Sequence, residues 1–133
     1  MTVQLSTTAR NAWLDAIETA IGTAPTLEIR TGAPPANCAA AATGSVLATM
    51  VLPSDWMAAA SGGAKSLSGS WADLAADATG TAGHYRINQG ATCHVQGTVT
   101  ATGGGGDMTL DNTSIATGQA VTVTSFTLTA GGA

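Results

Sequence analysis

The stretch AGHYRINQGATCHVQGTV, residues 82–99, decides the reading of the whole chain. Tyr85 and Ile87 alternate with His84 and Arg86, while Cys93, Val95 and Val99 alternate with Thr92, His94, Gln96 and Thr98. A period of two is strand geometry, so the two runs around Asn88-Gln89-Gly90 read as an antiparallel hairpin. A three-residue loop, with Gly90 in the left-handed position of a G1 bulge, keeps the polar and apolar faces apart. That register sets Tyr85 opposite Cys93 and His84 opposite His94, with opposed Cβ atoms about 4.5–5.5 Å apart. The two imidazoles are thereby candidate metal ligands or a pH-sensitive contact, although the hairpin offers no third ligand.

Strand signals continue on either side. Ala120 to Thr129 reads as a long final strand in which Val121 and Val123 have one parity and Phe126 and Leu128 the other. A bulge near Thr124 or Ser125 brings all four to one face; burial on both faces is the alternative. Met108 to Leu110 reads as a short strand. Leu27 and Ile29 alternate with Glu28 and Arg30 up to Gly32, and the tandem prolines of Ala33-Pro34-Pro35-Ala36-Asn37 demand a loop. Val46 to Leu52 is apolar enough for a strand buried on both faces. Between Ser54 and Gly80 the pattern supports short strands and loops. Ahead of all this, Ser6 to Ile21 carries a helical stripe of Ala9, Trp13, Ile17, Ala20 and Ile21, with Ser6 or Thr7 as N-cap and Gly22 as stop. Trp13 and Ile17 are expected to pack on a sheet, with Asp15 and Glu18 away from it. The sum is one domain over 1–133, mainly β: an antiparallel β-sandwich or jelly-roll-like barrel preceded by one α-helix.

Composition narrows function by exclusion. Charged residues are 9% of the chain and the net charge is −4, with Arg10, Arg30, Lys65 and Arg86 the whole cation set. Four scattered cations make no phosphate-neutralising stripe, so no nucleic-acid partner is expected. The longest apolar stretch is far short of the ~20 residues that span a bilayer, so no membrane partner is expected. Met1 to Arg10 lacks the pattern of a signal peptide, and manufacture in the cytoplasm follows. Without that signal, Cys38 and Cys93 are expected as reduced thiols, although a cystine remains open to them after lysis.

Candidate chemistry is sparse. Gly103 to Gly106 lacks the following helix and the Lys of a phosphate loop and reads as a flexible hairpin tip. Asp107, Asp111 and Asn112 are oxygen donors, but their spacing matches no calcium loop and suits turns instead. No nucleophile elbow exists, and Cys93 and His94, as strand neighbours, point to opposite faces. No catalytic residue and no cofactor is expected, and the chain reads as a non-enzyme. Trp56 and Trp71, in Ala/Gly/Ser-rich surroundings, fill the core or serve as interface anchors.

Four segments carry a resemblance: Leu27 to Ala36 (LEIRTGAPPA), Thr43 to Thr49 (TGSVLAT), Gly80 to Arg86 (GTAGHYR) and Val121 to Leu128 (VTVTSFTL). In this order behind an N-terminal helix they look like a group of small virion structural proteins of tailed phages. The resemblance implies a capsid decoration or cement protein on the virion surface, forming a homo-oligomer (a trimer by preference) and touching the major capsid protein or another virion protein. A place in the tail or at the head–tail connection, and a carbohydrate-binding or adhesin module, are the alternatives.

Overall fold

The computed structural model describes residues 3–133; Met1 and Thr2, which belong to the expected domain and to the leader reading, lie outside it. The fold is mainly β with one N-terminal helix, a curled mixed sheet forming a half-barrel. Helix α1 spans Thr7–Ile21, capped by Ser6, whose Oγ accepts from the Ala9 N–H at 3.1 Å. Nine strands follow: β1 Thr26–Thr31, β2 Val46–Val51, β3 Ala64–Ser66, β4 Ala72–Asp73, β5 Gly80–Gln89, β6 Thr92–Ala101, β7 Met108–Leu110, β8 Ser114–Ile115 and β9 Val121–Thr129. The sheet order is β2-β1-β5-β6-β7-β9-β3, with β4 added on β9 and β8 on β5.

All named pairs are antiparallel except β6 with β7, which run parallel with Val99 against Met108 and Ala101 against Leu110. Parallel neighbours ordinarily need a connection of a dozen or more residues. Here Thr102 to Asp107 suffices, and the glycine run explains it. Gly103 and Gly105 hold φ of +85° and +82°, which other residues avoid. A Cβ on Gly104 would stand 2.7 Å from that of Thr100. The run is therefore a tight double reversal folded back on Thr100, and the expected hairpin tip is corrected.

The final strand behaves as its hydrophobic parity demands. Thr109 pairs with Ser125 and Leu110 with Val123, so Thr124 is the bulged residue. The bulge turns Val121, Val123 and Phe126 into the interior together, with Leu128 half-buried beside them. In contrast, β2 lies at the end of the sheet path and leaves Thr49 and Val51 exposed, so the expectation of burial on both faces fails. Its outer edge is covered instead by polar bonds: Asp73 Oδ2 accepts the Thr49 N–H at 3.0 Å, and Leu47 O accepts the Asp77 N–H at 2.8 Å. Such cover spares an edge strand from pairing with another chain.

Helix α1 docks by a face that sets Asn11, Asp15 and Glu18 beside Leu14, Ile17 and Ile21, so the sequence expectation holds for Ile17 and Ile21 and fails for Trp13. Trp13 is 52% exposed, whereas Leu14 and Ile21 are buried. Lys65, 1% exposed on β3, decides the orientation. A buried ammonium needs countercharge, and Asp15 and Glu18 supply it at 2.7 and 3.0 Å. The same helix face accepts three backbone N–H groups of the segment leading into β3: Met57 to Glu18, Ala60 to Asp15 and Gly63 to Asn11. Trp56 and Trp71 lie in the core, their rings 5.9 Å apart, and Trp71 continues to Phe126 at 5.4 Å. At 0% and 1% exposure neither tryptophan is available as an interface anchor, and core filling is their role.

Candidate functional site

The hairpin that opened the sequence reading has a different turn. Gln89 pairs with Thr92 across Gly90-Ala91, and Asn88 with Cys93; then His94 bulges out, and Ile87 pairs with Val95. The bulge does what the three-residue loop was expected to do, keeping Tyr85 and Ile87 on one face and His84 and Arg86 on the other. Tyr85 thus lies opposite Gly97, not Cys93, and His84 opposite Thr98, not His94. Gly97 is required there, because a Cβ would stand 2.9 Å from the Tyr85 hydroxyl. Burial, with the Asp107 carboxylate nearby, pushes that hydroxyl's pKa up. His84 is fully buried and His94 exposed, so the two imidazoles form no pair. Among the described residues no group of three or more His, Cys, Asp or Glu converges on a metal position.

What the structure assembles instead is a polar face of β1, β5 and β6 covered by the connection from β1 to β2. Gly32 to Ser45 is fourteen residues long, against the usual two to five or so between antiparallel neighbours. It lies over the sheet as a strap. His84 Nδ1 sits 2.9 Å from Gly32 O; since a carbonyl only accepts, Nδ1 carries the proton. Gln96 Nε2 donates to Pro35 O at 2.7 Å, and the Arg86 guanidinium donates to Cys38 O at 2.7 Å and to Ala40 O at 3.2 Å. Arg30 donates to Thr43 O and Gly44 O at 3.2 and 3.3 Å. Gly83 on β5 makes the close approach possible, because a Cβ there would collide with the Gly32 carbonyl.

One covalent bond completes the cover. Cys38 on the strap and Cys93 on β6 form a disulfide with Cα atoms 5.2 Å apart, which corrects the expectation of reduced thiols. Beside it runs a groove of about 450 Å³ bordered by Glu28, Arg86, Asn88 and Ala39 to Ala42. Glu28 lies directly across from Arg86 in register but turns to Arg30 and Asn88, each at 3.2 Å. Arg86, 4% exposed, therefore rests on carbonyl oxygens alone among the described residues. His84 Nε2 and Gln96 Oε1 are buried under the strap without a protein partner.

The acidic candidates near the glycine run are structural. Asp107 Oδ2 accepts the Thr98 N–H and hydroxyl at 2.9 and 3.0 Å, and Asp111 Oδ1 accepts the N–H groups of Asn112 and Thr122. Asn112 Oδ1 accepts from Ser114. These oxygens tie down turns and strand ends, as the turn reading of their spacing expected.

Sequence reasoning singled out His84 but missed Arg86, Gln96 and Glu28. The available signal was the polar parity of one strand face next to a long, proline-containing connection bearing a cysteine. No family model, curated protein or solved structure matches the chain.

Proposed function

We propose that this chain is a non-enzymatic structural component of a tailed-phage particle, a capsid decoration or cement protein that associates with copies of itself and with the major capsid protein. The phage assignment rests on the resemblance of the four quoted segments. The structural role rests on where the charges go. Of four cations and eight acids, Asp55 alone makes no hydrogen bond or ion pair within the described residues. The ionic groups are engaged within the molecule itself, by its backbone and by its own side chains. The outer surface is left to Ala, Gly, Ser and Thr, a surface with little charge to keep copies apart.

The outer face of the helix supports a place for copies to meet. With Asp15 and Glu18 turned inward, its outer face presents Ala9, Ala12, Trp13, Ala16 and Ala20, all exposed. Small side chains let two helices approach closely, and an aromatic among them is the kind of residue interfaces favour. A second copy of the chain is the occupant we assign, with a trimer as the expected assembly. Sugar-binding modules stack sugars on exposed aromatics, and Trp56 and Trp71 are buried, which leaves Trp13 as the one exposed tryptophan among the described residues.

Sedimentation equilibrium of the purified protein, followed by co-sedimentation with particles assembled without it, tests the proposal. An oligomer that binds and thermally protects the empty shells is expected. A monomer at high micromolar concentration that ignores the shells would overturn it, and binding confined to tails or to a glycan array would move the role to the corresponding alternative.

A further inference from the structure

We propose that the Cys38–Cys93 disulfide makes the Gly32–Ser45 strap a redox-controlled cover, closed on the polar face of β1, β5 and β6 when oxidised and lifted from it when reduced. Three observations carry this. First, not one residue of Gly32 to Ser45 is buried, and none belongs to the hydrophobic core. The strap adds nothing to the interior and can leave without opening it. Second, apart from the disulfide, the hydrogen bonds that hold its middle run to the carbonyls of Pro35, Cys38 and Ala40, and its packing is limited to half-buried residues. Such bonds contribute modestly once their exchange for water is counted, those from the Arg86 guanidinium the most. Third, the seal is imperfect: His84 Nε2 and Gln96 Oε1 are shut away from solvent without a protein partner. Lifting the strap rehydrates both, and it frees the guanidinium of Arg86 from burial without a carboxylate. Closure therefore leans on the covalent bond.

The bond is also reachable. Cys38 and Cys93 are both half-buried, at the rim of the groove that holds Glu28, Arg86 and Asn88. Opening proceeds by thiol–disulfide exchange. A thiolate of a small dithiol attacks one cysteine sulfur, breaking the Cys38–Cys93 bond and leaving a mixed disulfide. The other cysteine leaves as a thiolate in that step, and the second thiol of the reagent then attacks the mixed disulfide and displaces the cysteine first attacked. The protein gains two electrons and two protons as two free thiols, and the dithiol leaves as its cyclic disulfide. Oxidation by a small-molecule disulfide runs the sequence backwards.

The experiment compares the full chain with and without dithiothreitol by limited proteolysis, by dicarbonyl modification of Arg86 and by amide hydrogen exchange. On reduction, cleavage within residues 32–45 is expected to accelerate at least about tenfold, as local opening predicts. Arg86 becomes reactive, while amides of β7 and β9 keep their protection. The double substitution Cys38→Ser/Cys93→Ser should show the reduced pattern whether or not the dithiol is present. Equal cleavage in both states would overturn the proposal. So would loss of β7 and β9 protection together with the strap, which would make the disulfide a staple of the whole domain.

Discussion

Lys65 and its two carboxylates set the attitude of the helix, and their titration should be readable in stability. Hydrogen bonds from the Lys65 ammonium and the Ala60 N–H hold the Asp15 carboxyl below its ordinary 3.8. That stabilisation is complete above pH 3.8 and fades as pH falls through the lowered value. Burial pulls Lys65 down, but its bonds to Asp15 and Glu18 outweigh burial and raise it above 10.5. That contribution is complete below pH 10.5 and is lost as pH rises through the raised value. Urea denaturation across pH should show this pair's contribution falling off only outside that window, and Lys65→Met should remove the alkaline limb. The same substitution is expected to cost about 2–3 kcal/mol, below the ~3–5 kcal/mol for breaking a fully buried pair, because Asp15 stays half-exposed. None of this was legible in the sequence. A lone Lys flanked by Ala and Ser gives no sign of burial, and the partners stand some fifty residues away.

At the scale of elements, the helix shows how a correct assignment can carry a wrong orientation. Its limits and cap follow from Ser6, the helical period and Gly22, but the hydrophobic stripe alone picks Trp13 as the buried ring. The body requires acceptors for Lys65 and for three backbone N–H groups, and only the Asn11, Asp15 and Glu18 side supplies them. Accordingly, Trp13→Ala should change monomer stability by less than about 1 kcal/mol, whereas Leu14→Ala should cost about 2–4 kcal/mol. Thermal denaturation of the two variants decides the matter. Strand β9 was read correctly down to its bulge, because a switch of hydrophobic parity has few physical solutions. The glycine run was not, since the same four residues serve a hairpin tip or a double reversal, and only the pairing of β7 distinguishes them. Gly104→Ala drives a Cβ onto Thr100 and should cost about 1–3 kcal/mol, where a flexible tip would tolerate it. A loss below that range, measured by chemical denaturation, would restore the hairpin.

Taken whole, the molecule keeps its charges to itself, and the proposed self-association should reflect that. Raising salt from about 50 to 500 mM shortens the screening length from ~14 to ~4 Å and weakens contacts between exposed charges. Because the fold engages nearly all of its charged groups internally, the association constant should move by less than about threefold over that range. Sedimentation velocity at the two salt concentrations measures it, and a tenfold weakening would point to a charged interface. Fold class and the positions of the longer strands were open to reading because turns and periodicity are local properties. The strapped face was not, because it joins a connection, three strands and a cystine whose partners are 55 residues apart.

Strand β9 also sets when the molecule can close during synthesis. It pairs with β3, β4 and β7, all of which precede it in the chain. Until it leaves the ribosome, β7 lacks its outer neighbour and β3 the one strand it pairs with among the described residues. The β1–β2–β5–β6 portion, built from antiparallel neighbours, can form earlier and wait. A nascent chain stalled before Val121 should therefore hold a folded half and an unpaired half, and a single short event at the end would convert a chaperone substrate into the finished domain.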